Sequence, residues 1–184
     1  MRSLAFDIPT GEGVFLIRDV AADTPEAQRP AARAMRIPGH RGGKMVAAVG
    51  AVLRVRCAHQ YSSPHLTLQI LDREPADEPG WEWATITTLD LPTGRIQVDC
   101  GEEPAPPPLL DIDAGAGPGR CAVTLGHQGR ADMLARALQV GTETMYADAD
   151  TTRAAWQEAG RLERYLVRIW PQERHRRSAT LPRT

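Results

Sequence analysis

Lysine is almost missing from this sequence: of 22 basic residues one, Lys44, is lysine and the rest are arginine. Against them stand 23 acidic residues, giving a formal net charge of −1, so no overall field exists to gather nucleic acid or anionic lipid. Long apolar runs are missing too. The longest stretch of apolar residues and glycine, Met45 to Leu53, has nine residues, far short of the roughly 20 that a helix needs to cross a bilayer. The segment from Met1 to Asp7 meets an acid after three apolar side chains, so no export signal is expected and the expected location is cytoplasmic. Cys57, Cys100 and Cys121 are odd in number and lack Cys-x-x-Cys spacing, which fits neither a disulfide framework nor a structural zinc site.

Catalytic signatures are equally scarce. No Gly-x-Ser-x-Gly elbow occurs, and Ser3, Ser62, Ser63 and Ser178 sit near the ends or in a loop. His40, His59, His65, His127 and His175 lie in different segments, none with a second ligand at i+2 or i+4, so no metal and no cofactor is expected. Gly39-His40-Arg41-Gly42-Gly43-Lys44 has three residues before its Gly-Lys pair and Met45 after it, whereas a phosphate loop needs four and a Ser or Thr. The cysteines fall on or beside apolar strands, where burial raises a thiol pKa and suppresses reactivity.

What the chain does hold is alternation with period two. Val14-Phe15-Leu16-Ile17 reads as a buried strand. Met45 to Cys57 sets Val49, Ala51, Leu53, Val55 and Cys57 on one face, and the next run does the same with Leu66, Leu68 and Ile70. Glu82 to Leu91 is a long strand rich in β-branched residues. The Leu91-Pro92-Thr93-Gly94-Arg95 turn then leads into Ile96, Val98 and Cys100 as a hairpin. Residues 101–119 read as a loop with one short strand, Arg120 to Leu125 as a further strand, and Tyr165 to Trp170 as the last, stopped by Pro171. Ala21 to Gly43, with three prolines and three glycines, predicts a long surface loop with one helical turn after Pro30.

Two helices fall late in the chain. Ala131, Leu134, Ala135, Leu138 and Gln139 lie near helical spacing before Gly141, and Thr151 to Ala159 can be capped by Asp150 or Thr151 and ended by Gly160. The expected fold is all-β, or β-rich α+β: an antiparallel two-layer β-sandwich with two short helices inserted before the last strand. One domain over residues 1–171 and a basic flexible tail over 172–184 are expected. The expected core comprises Phe15, Ile17, Leu53, Val55, Leu68, Ile70, Ile86, Ile96, Val98, Val123, Val167 and Ile169.

Carboxylates cluster twice. Asp72, Glu74, Asp77, Glu78 and Glu82 fall within eleven residues with only Arg73 opposing, and Asp99, Glu102, Glu103, Asp111 and Asp113 form a second group. If the two loops meet at one end of a sandwich they make an acidic rim, a candidate partner-binding surface for a basic protein or a hard cation such as calcium. Charge runs in loops are usually only solvated.

Glu163-Arg164-Tyr165-Leu166-Val167-Arg168-Ile169-Trp170-Pro171 resembles the closing strand, E-x-Y-L-V/I-x-L/I-W-P, of an uncharacterised group of actinobacterial β-sandwich proteins. Gly80-Trp81-Glu82 before the long strand, the Thr93-Gly94 turn and Gly129-Arg130-Ala131-Asp132 after the penultimate strand are similar to that group too. Arg120-Cys121-Ala122-Val123 departs from the Tyr-led strand usual there, and the helical insert is longer. The layout is more distantly similar to that of competence-associated nuclease inhibitors. The resemblance to the actinobacterial group implies a sandwich and no assigned activity.

The functional expectation is a non-catalytic binding or inhibitor module of a bacterial cytosolic protein, recognising a protein partner through charged loops on a rigid β scaffold. Neither a membrane nor a specific nucleic acid is expected as partner. The alternative is an enzyme whose site gathers the scattered His59, His65, Asp72 and Glu82. A third reading has the tail, with Arg174, Arg176, Arg177 and Arg183, docking on an acidic partner.

Overall fold

The alternating segments pair into two five-stranded sheets that share one apolar layer. The structure, a computed structural model, describes residues 1–36, 43–61, 63–76, 78–100, 107–115 and 117–172, with Thr85, Ile86 and Pro108 described by backbone alone. The first sheet comprises β1 (Arg2–Asp7), β5 (His65–Ile70), β10 (Arg164–Pro171), β9 (Gly119–Gln128) and β6 (Glu82–Leu91), in that spatial order. In the second, β3 (Val46–Val49), β4 (Val52–Arg56), β2 (Val14–Asp19), β7 (Arg95–Asp99) and β8 (Ile112–Asp113) follow one another. Phe15, Ile17, Leu53, Val55, Leu68, Ile70, Ile96, Val98, Val123, Val167 and Ile169 all fill the layer between, as their parity predicts. Ile86, also expected there, has no described side chain, and Leu89 and Leu91 hold the inward positions of β6. All three cysteines are buried, and none is in a disulfide.

The β-rich two-layer fold stands as expected, with one departure from antiparallel pairing. β5 and β10 run parallel, from His65 opposite Arg164 to Ile70 opposite Ile169, while the other described ladders are antiparallel. Because β10 opposes β9 and β9 opposes β6, strands β5 and β6 also point the same way. Their connection must therefore return across a face of the sheet, since a tight hairpin joins only antiparallel neighbours. It crosses the outer face over Arg168. That guanidinium, 4% exposed, donates to the Gln69 side chain (3.2 Å), the Ala76 carbonyl (3.2 Å) and Glu78, and lies 4.8 Å from the centre of the Trp83 ring.

Three further elements differ from the sequence expectations. Met45 to Cys57 is two strands, since Gly50 takes a φ of +57° and lets Val49 pair with Val52 across a two-residue turn. The segment expected as a loop contains helix α1 (Pro25–Ala34), its Thr24 hydroxyl capping the Ala27 N–H at 3.3 Å. Pro30 removes one helical donor, but Ala27 and Ala31 pack with Leu16 and Val52 on the outer face of the second sheet, and that burial holds the helix. Strand β1 has no counterpart in the sequence expectations; its side chains are at most half-buried, so its alternation is faint. Helices α2 (Arg130–Glu143) and α3 (Ala149–Gly160) occur where expected before the last strand. None of the described helices is long and apolar enough to cross a membrane.

Candidate functional site

The acidic residues do not form one rim among the described positions. Asp77, Glu102 and Glu103 lie outside the described residues. Asp72 and Glu74 are exposed, Asp72 lying 3.4 Å from the Met1 amino group. Glu78 is bound to Arg168, Asp111 to Arg95, and Asp99 faces Arg18 at 3.5 Å. Arg95 holds the Asp111 carboxyl below the usual carboxylate range. Gly115 lies against Ile70 at the end of β5, which brings the Asp111–Asp113 segment and Asp72 to one end of the sandwich. Asp99 closes β7 at the end away from Arg95, and Glu82 sits at the other end of the first sheet beside His127.

The alternative enzyme set is dispersed as well. His59 stacks on Trp156, His65 shares a 2.8 Å contact with Asp7, and Asp72 faces the amino terminus. Glu82 is three strand spacings from His65, about 14 Å. Among the described residues no group of three His, Cys, Asp or Glu could hold a metal ion.

Polar chemistry gathers instead where α2 and α3 meet the sandwich. Glu163, fully buried just before β10, accepts the Ala58 N–H on both carboxylate oxygens at 2.8 and 3.0 Å. Its Oε1 also accepts from Arg130 Nη1 at 2.7 Å and from the Tyr165 hydroxyl at 2.5 Å. Arg130 reaches the Arg56 carbonyl at 2.9 Å, so one carboxylate ties β4, α2 and β10 together. Burial pushes the Tyr165 hydroxyl and the Cys57 thiol far up from their ordinary pKa values, with the Glu163 charge adding to both. Tyr165 therefore stays protonated and keeps donating.

This tie also sets the rotation of α2. Arg130, Met133, Ala137 and Val140 recur at i, i+3, i+7 and i+10 and share a face, and the last three pack with Ala159 near Ala58 and Trp156. Hydrophobic spacing alone puts Leu134 and Leu138 on the buried face. They are turned away by about one residue step, roughly 100°, and stand 49% and 79% exposed. Met145 and Tyr146, in the turn after α2, are 63% and 95% exposed. Helix α3 begins earlier than expected: Asp148, not Asp150 or Thr151, is the cap, accepting the Thr151 N–H at 2.8 Å and its hydroxyl at 2.9 Å. Those bonds hold the Asp148 carboxyl below its ordinary range.

Beside these helices Trp156 is the hub of three rings. His59 lies flat against it at 4.8 Å, and Tyr61 is tilted on it at 4.9 Å. Trp156, Tyr61, Ser63, Thr152, Arg153 and Gln157 line most of an open groove of about 590 Å³ between α3 and the β1–β2 and β4–β5 loops.

No family model matches the chain, and no curated protein matches it either. Among solved structures it is similar to ComJ from Bacillus subtilis, an inhibitor of the DNA-degrading activity of NucA, with a TM-score of 0.50 and 8% identity over 94% of this chain and 96% of that one. The fold is similar to ComJ's. The product of crocagin biosynthetic gene J overlaps more loosely, with a TM-score of 0.47 and 15% identity over 94% of this chain and 100% of that one.

On this ComJ-like fold, His127 sits opposite both Glu82 and Tyr165, and its buried Nδ1 has no hydrogen-bond partner among the described residues. Burial, assisted by Arg130, lowers its pKa from the usual value, while Glu82 and Glu163 oppose that shift. An unfolded histidine binds a proton near pH 6.5 and the folded one only at lower pH, so stability present above about pH 6.5 should fall as the pH drops below it. Urea midpoints compared between pH 7 and pH 5 should show this decline, and His127→Gln should flatten it. An equal decline in the variant would assign it to another group.

Proposed function

We propose that this chain is a non-catalytic binding protein of the inhibitor type that engages a protein partner through its helical end. The observation that carries the reading is the outward face of α2 and its following turn, where Leu134, Leu138, Met145 and Tyr146 stand in water within thirteen residues. A single exposed leucine needs no explanation, but large apolar side chains grouped on one element mark an interaction surface. The ion pair of Arg136 with Glu143, 2.9 Å apart, supplies a polar border on the same helix. ComJ, a protein of similar fold, is an inhibitor of another protein's activity, which supports a protein as the class of partner. The acidic segments are the weaker surface, because Glu78, Asp99 and Asp111 already face arginines.

The test is a double variant, Leu138→Asp with Tyr146→Asp. Both side chains are exposed, so stability should change by less than about 1 kcal/mol. A partner isolated on the wild-type protein should lose more than about 30-fold in affinity, in line with the roughly 2 kcal/mol of a hot-spot residue. An unchanged Kd for that partner would refute the helical surface and return weight to the acidic loops.

A further inference from the structure

The groove beside α3 is a second feature that neither the fold nor the exposed face of α2 accounts for. Its aromatic wall is set in advance. His59 stacks on Trp156 with an angle of 4° between the rings, and Tyr61 closes on both at 4.9 and 5.5 Å. A wall already ordered spends little rotamer entropy on a ligand, and such rings favour a flat apolar group packed edge-on or offset.

Charge narrows the ligand further. Arg153 is the one ionised group among the lining residues, with no carboxylate beside it in the lining. Its Nη1 lies 3.0 Å from Asp150, but both side chains are largely exposed, so the pair is weak and the rest of the guanidinium fork is available. The groove therefore favours an anionic group over a cationic one. Two hydroxyls of the lining already donate elsewhere: Thr152 to the Asp148 carbonyl at 2.9 Å and Ser63 to the Ile8 carbonyl at 3.4 Å. Their remaining lone pairs are acceptors, suited to the N–H groups of a peptide backbone. A nucleic-acid strand fits less well, since backbone binding needs several cations and this lining offers one. The volume, about 590 Å³, is in the usual range for a ligand cleft.

We infer that this groove receives an extended peptide segment carrying an aromatic side chain followed by a carboxylate, the aromatic ring against Tyr61 and Trp156 and the carboxylate on Arg153. The assignment rests on the protein-partner reading above and names the part of the partner that enters the groove.

The experiment titrates the full chain with blocked tetrapeptides, following amide and indole resonances by NMR. Acetyl-Gly-Phe-Glu-Gly-amide should bind with a Kd of about 1 mM, shifting the Trp156 indole signal. The same peptide with Lys for Glu, or with Ala for Phe, should bind at least about fivefold more weakly. Arg153→Gln should erase the preference for Glu over Gln in the peptide, and Tyr61→Ser should erase the preference for Phe over Ala; both positions are exposed, and thermal unfolding verifies that the variants fold. No shift with the Phe-Glu peptide, equal binding of the Lys peptide, or tighter binding of a thymidine oligonucleotide at the same residues would each overturn the inference. The Leu138→Asp, Tyr146→Asp variant should bind the peptide like wild type. If the peptide fails while that variant still loses the partner, the groove assignment alone falls.

Discussion

Replacing Glu163 by alanine should destabilise the protein by about 3–5 kcal/mol, the range seen when one member of a buried ion pair is removed. The carboxylate is fully buried and accepts from Ala58, Arg130 and Tyr165. Without it the Arg130 charge, 21% exposed, loses its counter-ion and the buried Tyr165 hydroxyl its 2.5 Å acceptor, leaving the Arg56 carbonyl to serve both. The loss is a large part of the roughly 5–15 kcal/mol that holds a domain folded. Urea unfolding measures it, and hydrogen exchange should show the Ala58 amide losing its protection. A change below about 1 kcal/mol would mean that the network relaxes onto other groups, and the account of what orients α2 would fail with it.

Gly129→Val should be at least as damaging, for a different reason. Gly129 precedes α2 with a φ of +70°, and a Cβ at that position would lie 1.9 Å from the Leu162 carbonyl oxygen. The left-handed conformation alone disfavours a β-branched residue by about 1–3 kcal/mol. The clash is with backbone, so no rotamer relieves it, and the segment leading into Glu163 must shift. A loss above about 3 kcal/mol, or failure to accumulate as soluble protein, is expected. Gly141 is the control: it lies inside α2, and a Cβ there would meet nothing within 4 Å, so Gly141→Ala should be neutral or stabilising by up to about 1 kcal/mol. Similar thermal midpoints for the two variants would contradict the steric reading.

Inward-facing strand residues were legible because a half-buried strand writes its burial as alternation. Leu53 and Val55, Leu68 and Ile70, Val167 and Ile169 all face the core, as their parity predicts. Helix α1 was legible only as one turn after Pro30: Thr24 and Pro25 suit a helix start, but Pro30 argues against a helix interior, and packing on Leu16 and Val52 outweighs it. The parallel β5–β10 ladder was invisible because alternation carries no information about strand direction or partner.

The helical end was half legible. Helical spacing in α2 is correct, but two leucines outweigh Met133, Ala137 and Val140 when hydrophobicity alone selects the buried face. What decides the rotation is Arg130, whose partner Glu163 lies 33 residues away and is named by no local pattern. Trp156, Tyr61 and His59 come together from α3 and a loop nearly a hundred residues earlier, so their stacking had no sequence signal either. The acidic segments were the conspicuous feature in the sequence, yet several of their carboxylates meet arginines brought from distant strands.

Strand β10 is the last of the described strands in the chain and the middle one of its sheet, with β5 on one side and β9 on the other. During synthesis the β1–β5 and β6–β9 pairs can each form early, but every route between them runs through residues not yet made. Until residues 164–171 leave the ribosome, β5 and β9 each present a bare hydrogen-bonding edge, the kind of surface that recruits a second chain. Completion of this sheet thus waits for β10 and rests on distant contacts, which slow folding and lengthen the time for which those edges stay open to aggregation.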